Sequence, residues 1–426
     1  MFKRLVAGTA WSLVGTLAAR GSSFVAMTLA ARILGPENYG QFAIVQSLGA
    51  TAGTVAGSVF GVAATRFLAR DIDRDKPRAT RIFAIVELAA LAVGGVLALA
   101  MIVGAPWIAQ AIYGQQALAG VIRLSALLLL TNCVASAQIG AFIGLSEFRA
   151  YALLSSWQVP LIILATPAGA MLGGFTGALG GLLLSQVGAC AAAAFMLRRL
   201  MRRRGLQPAW RGAGTEWATI RGFLALALIG SGLSEPSSWL ASLILMRNAG
   251  PTEVAYLHAT NQWLYILGLI PGLVSPVALP LFSQMSAQQM REDIIRLVRR
   301  ASALNALATI PAAVIVMLLT RQIMAIYGAE FAPGARVLAI AALTSCLISQ
   351  CGVMSQVIVA YGKMREGIVL NAIWAACYLT LAWQLVHLGA YGLSGARAMA
   401  FTLHLVLSIL LVRRLVAARA EPGATS

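Results

Sequence analysis

Apolar runs of about 20 residues recur along the whole chain, separated by short breaks that carry Gly, Pro or charge. A run of that length crosses the hydrocarbon core of a bilayer as one helix. The pattern predicts twelve spans, near 9–32, 40–65, 82–104, 118–142, 151–170, 177–197, 222–246, 254–282, 301–320, 336–360, 367–387 and 391–412. The later spans carry the internal helix breakers Pro236, Pro271, Pro276, Pro280 and Pro311. Membranes tolerate such breaks where neighbouring helices or water satisfy the freed backbone groups.

The pattern also repeats. The first span ends in Ala30-Ala31-Arg32-Ile33-Leu34-Gly35-Pro36-Glu37-Asn38-Tyr39-Gly40, and Leu245-Met246-Arg247-Asn248-Ala249-Gly250-Pro251-Thr252-Glu253 follows the seventh. Arg32 and Arg247 are 215 positions apart, as are Gly35 and Gly250, and Arg20 and Glu235. Ala111-Ile112-Tyr113-Gly114 returns as Ala325-Ile326-Tyr327-Gly328, and Arg123 with Cys133 matches Arg336 with Cys346. The expected architecture is all-α and polytopic, with a six-helix lobe at 1–197 and another at 222–412. A basic cytoplasmic loop at 198–221 joins the lobes, and a cytoplasmic tail follows at 413–426. Six is even, so both lobes enter the membrane the same way and their pseudo-twofold axis runs along the membrane normal. Transporters of this plan hold substrate between the lobes and alternate access; scaffolds and channels can also be duplicated.

Composition agrees. Charged residues are 11% and the mean hydropathy is +0.82, against about 25% charged residues in soluble domains. The net charge of +18 suggests nucleic acid until the basic residues are placed. Of 32 Lys and Arg, all but Arg20, Arg32, Arg123, Arg247, Arg321, Arg336 and Arg397 fall at one set of helix ends. That asymmetry marks the cytoplasmic side and puts both termini inside, so the charge is a topology signal and no nucleic-acid partner is expected. Met1-Phe2-Lys3-Arg4 precedes a run long enough to span, which reads as a retained first helix. The five cysteines form no CxxC pair and no Cys/His cluster, so neither a metal site nor a disulfide framework is expected, and no cofactor is expected either.

A charge at mid-bilayer costs at least ~2.5–3.5 kcal/mol, so it faces a cavity or a partner. Arg20 in the first span and Glu235 in the seventh hold equivalent positions. Arg20 suits an anion and Glu235 a proton or Na⁺; the alternative is a structural ion pair between them. Glu87 lies ~9 Å inside the cytoplasmic end of the third span, a second ion-coupling candidate that is also close enough to snorkel. Arg397 lies toward the outer end of the twelfth span. Arg32 and Arg247 sit near the outer surface against the positive-inside trend, where they can attract an anionic head group or simply be solvated. His258, His387 and His404 form no cluster along the chain.

An external glycosyltransferase or polymerase needs a sizeable outer loop with paired carboxylates. Here the outer loops are short and carry only Glu37, Glu253 and Glu330, and no G-x-x-x-x-G-K-[ST] phosphate loop exists. No enzymatic activity is expected.

The stretch from Ala30 to Phe42, after a first span with a mid-helix arginine, resembles the polysaccharide-transporter or O-antigen flippase family. That family belongs to the multidrug/oligosaccharidyl-lipid/polysaccharide exporter superfamily. The resemblance implies an inner-membrane flippase of undecaprenyl-diphosphate-linked sugars with a cationic cavity, and carries the family's first-span arginine onto Arg20. It implies as partners the lipid-linked oligosaccharide, membrane lipids, and candidate polymerase and chain-length machinery. Arg20, Arg32, Arg247 and Arg397 are the substrate-binding candidates, because a guanidinium stays charged and donates bidentate hydrogen bonds to phosphate. The alternative is a cation-coupled multidrug exporter of the same superfamily, which needs membrane acids for cationic drugs.

Overall fold

The computed structural model of the chain describes residues 2–72, 74–205, 234–269 and 291–418. The basic loop between the lobes falls largely outside these residues, as do the start of the seventh span and Pro271, Pro276 and Pro280. The described residues are helical almost throughout. In hydrocarbon a backbone N–H or C=O without a partner costs several kcal/mol, and a helix pairs all of them internally.

In chain order the helices are α1 (Phe2–Asp71), α2 (Lys76–Trp107), α3 (Ala119–Gly144), α4 (Phe148–Arg203), α5 (Ser234–Ala249) and α6 (Pro251–Leu267). They continue with α7 (Arg291–Leu318), the short α8 (Thr320–Tyr327), α9 (Ala335–Ala360), α10 (Met364–Leu385) and α11 (Gly389–Ala418). Among the described residues, seven continuous stretches are long and apolar enough to cross a membrane. Three of them, of 58, 56 and 54 residues, are about double the length of one crossing. They fold back at glycines: α1 at Gly35, α4 at Gly173 and Gly174, and the third at Gly389 between α10 and α11. With α5 and α6, the described residues contain twelve long helical arms, near the twelve predicted runs.

α7 departs from its predicted start. It begins at Arg291 rather than near 301, because Ile294 and Ala301 keep one face buried while Arg296, Arg299 and Arg300 point outward. A search for apolar runs stops at those arginines, whereas an amphipathic helix continues through them. Pro311 lies inside α7 without ending it.

The repeat is visible in the backbone itself. Gly35 has φ 69° and ψ 171°, and Gly250 has φ 88° and ψ 175°. Both values lie in a region that essentially only glycine occupies, and in each case proline opens the next helix, where its missing N–H costs nothing. Three more positive-φ positions recur in step: Gly114 with Gly328, Ser146 with Gly362, and Gly174 with Gly389. The separations are 214, 216 and 215 positions, against 215 for the first pair. The Gly174 and Gly389 dihedrals nearly coincide, at φ 58°, ψ −144° and φ 64°, ψ −148°.

The chain divides into two compact units, Met1–Trp239 and Leu240–Ser426. In the first unit, the second arm of α1 lies along α3 through Gly49, Gly53, Gly57 and Gly61, one glycine per helical turn. A methyl group added at Gly49 would fall on the carbonyl oxygen of Ser125, and one at Gly57 would stand 2.8 Å from Ser136 Oγ. Lipid tails are as apolar as the helices, so close backbone approach and dispersion must supply the association. Thr65 adds a cross-helix bond, its hydroxyl donating to the Gly140 carbonyl at 3.1 Å. The unit's buried cluster lies toward the basic-loop ends and includes Phe60, Phe67, Leu68, Ile82, Val86, Phe142 and Leu197. The second unit has its own cluster at the corresponding ends, built on Ile294, Val353, Val357, Ile358, Leu370 and Val412.

Gly49→Val should therefore lower the thermal midpoint of the detergent-purified protein by several degrees, since overpacking a close interface costs about 1–3 kcal/mol. Gly95→Val, where an added Cβ meets nothing within 4 Å, should leave it nearly unchanged. Equal midpoints for the two variants would contradict the packing account.

Candidate functional site: charged and amide groups within the spans

The two units hold different polar groups in their interiors. In the first, three helical arms bring together side-chain amides from α3 and from both arms of α4. Gln158 Nε2 donates to Gln186 Oε1 at 3.3 Å, and Gln186 Nε2 donates to Asn132 Oδ1 at 3.2 Å. Beside this chain lies a cavity of about 80 Å³ lined by Gln138, Tyr151, Ser155, Gln158, Gln186 and small residues that include Ala19. Gln138 is 2% exposed, and its Oε1 has no hydrogen-bond partner among the described residues. Glu87 of α2 is half-buried next to Gln138 and within the electrostatic reach of Arg198. Glu87, read from the sequence as an ion-coupling candidate, thus stands beside a set of neutral amides.

The second unit holds a buried cation. Arg397 of α11 is 9% exposed. It donates from Nη1 to Asn261 Oδ1 of α6 at 2.6 Å and from Nη2 to the Tyr378 hydroxyl of α10 at 3.3 Å. Its Cζ lies 5.4 Å from the Tyr378 ring centroid, a cation–π distance. Trp374 stacks on Tyr378, with the ring centroids 5.5 Å apart. His258 is close enough to feel the Arg397 charge. No carboxylate pairs with Arg397 among the described residues. The charge is held by an amide, a phenol and an aromatic face, the neutral partners that make burial of a guanidinium tolerable.

The remaining candidates are exposed. Arg20, midway along the first arm of α1, and Glu235, in the first turn of α5, are both exposed. Neither has an ion pair among the described residues, so none joins them. Arg32 and Arg247 are exposed three residues before Gly35 and Gly250, each at the end of its helix. The structure thus brings together Arg397 with Asn261, Tyr378 and His258, and Glu87 with Gln138, and leaves Arg20, Arg32 and Glu235 apart. All five cysteines are free thiols.

Sequence reasoning missed Asn132, Gln138, Gln158, Gln186, Asn261 and Tyr378. Their signal was present: each is a polar side chain inside an apolar run, where an unpaired amide or hydroxyl is costly. Nothing in the spacing says which of them meet.

This arrangement of helices is a multi-pass, all-α membrane fold shared with several solved transporters. A multidrug resistance MATE family transporter in its inward-facing conformation superposes with a TM-score of 0.77, at 15% identity, over 97% of this chain and 100% of the other. The lipid II flippase MurJ in an inward closed conformation gives 0.78 at 13% identity, over 96% and 89%. Within that fold, residues 5–286 match the model of the family described as "Polysaccharide biosynthesis protein", and the chain belongs to that family. It is also 22% identical over 386 residues to the EPS I polysaccharide export inner membrane protein EpsE of Ralstonia solanacearum, covering 88% of this chain and 86% of that protein. A second EpsE, from Ralstonia nicotianae, is 23% identical over 390 residues, covering 89% and 86%.

Removing an acceptor from a buried charge costs about 1.5–3 kcal/mol. Asn261→Leu should destabilise the purified protein by that order, and Asn261→Leu with Arg397→Met should recover most of the loss, measured as the denaturation midpoint in one detergent. A double variant no more stable than the single one would show that Asn261 does not serve the Arg397 charge.

Proposed function

We propose that this protein is a flippase that moves undecaprenyl-diphosphate-linked oligosaccharide from the cytoplasmic to the periplasmic leaflet of the bacterial inner membrane, for surface polysaccharide synthesis. The observation that carries the reading is Arg20: a cation halfway along a membrane span, exposed, with no ion pair among the described residues. In a chain of the polysaccharide biosynthesis family, a span cation that no internal acid neutralises is suited to a lipid diphosphate. The prenyl tail stays in hydrocarbon while the head passes through a polar path, which needs fixed donors for phosphate and not for the tail. An arginine supplies two parallel N–H donors and remains charged at any physiological pH.

Two further observations support it. The EpsE relatives are polysaccharide export proteins of an inner membrane, and basic residues crowd one set of helix ends, as cytoplasmic ends do. Alternating access is supported by MATE transporters of this fold, which occur in inward-facing and outward-facing conformations. The sequence has no ATP-binding phosphate loop, so an ion gradient supplies the work, with Glu235 and Glu87 as coupling candidates. Arg32 and Arg247 receive the head group at the outer ends of their spans, and Arg397 holds the positive potential of the second unit from within. A cation-coupled drug exporter would rest instead on the same two acids, and would not require Arg20.

Two tests separate these readings. Arg20→Ala should abolish export of the lipid-linked glycan in a flippase-deficient strain at normal protein levels, and Arg20→Lys should restore only part of it. If Arg20 serves instead to balance Glu235, Arg20→Ala with Glu235→Ala should export normally, since removing both members of a pair can be nearly neutral. For orientation, a single cysteine placed at Gln115 in a cysteine-free background should react with impermeant maleimide from outside, and one at Gln207 only after the cells are opened. The reverse pattern would overturn the topology.

A further inference from the structure

The second unit has a larger cavity that none of the charged candidates above occupies. It measures about 510 Å³ and lies where the first turns of α6, α9 and α11 converge, at the helix ends away from Lys363 and Arg413. That volume is in the range of small-molecule sites. Its walls are Tyr256 and Glu253 of α6, Arg336 and Val337 of α9, Leu388 of the turn before α11, and Tyr391 of α11 itself.

Each wall has a defined state. Tyr256 is fixed: its hydroxyl donates to the Glu330 carbonyl at 3.1 Å, and its ring meets Phe331 edge-on at 5.9 Å. Glu253 is held by one oxygen, which accepts the Ala390 N–H at 2.7 Å across the start of α11. No residue hydrogen-bonds its other oxygen among the described residues. Arg336 is exposed and has no ion pair among the described residues. Tyr391 and Leu388 are about half exposed, at 48% and 49%, and present apolar faces to the same space.

We propose that this cleft binds a sugar ring of the transported glycan. A sugar ring combines an apolar C–H face, which packs on Tyr391 and Leu388, with a rim of hydroxyls that both donate and accept. Arg336 offers up to five N–H donors and no acceptor, and the open Glu253 oxygen offers an acceptor. Paired charges of opposite sign suit hydroxyls better than they suit a lipid phosphate, which the adjacent carboxylate repels. The inference rests on the flippase reading, since it takes its ligand from the glycan. It places a glycan contact inside one unit, at the end where the glycan leaves.

The full-length protein in phosphatidylcholine nanodiscs, probed by saturation-transfer NMR with free hexose, N-acetylhexosamine and hexuronate disaccharides, tests the site. At least one disaccharide should bind; Arg336→Ala should weaken it about tenfold or more, the loss expected for a hydrogen bond to a charged group, and Tyr391→Ala should weaken it by removing the ring on which the sugar's apolar face packs. Tyr391→Phe, which keeps the ring, should bind as the unaltered protein does, and so should Arg321→Ala, an exposed cation outside the cleft. Binding unaffected by Arg336→Ala, or no disaccharide binding below ~10 mM, overturns the site. Retention of phosphatidylglycerol through Arg336 in native mass spectrometry, without saccharide binding, would also overturn it in favour of a lipid site. Export is read separately: if the unaltered protein restores no glycan export in the flippase-deficient strain, the flippase reading fails, whereas disaccharide binding that ignores Arg336 fails the cleft alone.

Discussion

Hydrocarbon offers no hydrogen bonds, and most features of this chain follow from that. Every peptide group within the bilayer must find its partner in its own helix, so the twelve long arms leave little chain for anything else. Direction can then change only at a few residues, and several of those are glycines in conformations closed to other side chains. Gly35 and Gly250 turn the chain with nearly the same dihedrals, as do Gly174 and Gly389. The same absence of a hydrophobic drive between helices explains the stripe from Gly49 to Gly61, which brings two backbones close enough for dispersion to hold them. Polar side chains in the interior are restricted in the same way, because each must bring its own partner.

The two units share a backbone plan and differ in what they bury. The first surrounds a small cavity with neutral amides and sets Glu87 at its edge. The second buries the guanidinium of Arg397 against Asn261 and Tyr378. A duplicated scaffold thus carries one interior lined by neutral amides and another that holds a buried cation. Charges at these depths are costly to keep.

Much of the fold was legible because the membrane writes it in simple terms. Run length gave the spans, and the Arg-x-x-Gly-Pro motif gave the repeat, since glycine and proline are required there for backbone reasons. The start of α7 at Arg291 was hidden because its first turns are amphipathic rather than apolar. The amide chain from Gln158 to Asn132 was hidden for a different reason. Such contacts join residues 28 and 54 positions apart, and only the packing of helices decides them. Arg20, Arg32, Arg247 and Arg397 were each visible as charges out of place. Arg397 proved to be built into a shell of neutral partners, which come from two other helices, α6 and α10.

The central claim is that this fold moves a lipid-linked glycan across the bilayer. It is met most directly in proteoliposomes that carry undecaprenyl-diphosphate oligosaccharide in both leaflets and contain only this protein. A membrane-impermeant glycosidase added outside removes the outer sugars at once. The account predicts that the inner pool then becomes accessible, with the protein, at a rate that an imposed ion gradient changes, while protein-free vesicles keep about half of their glycan protected. An inner pool that stays protected under every gradient, in vesicles where the same protein expels a cationic drug, would contradict it.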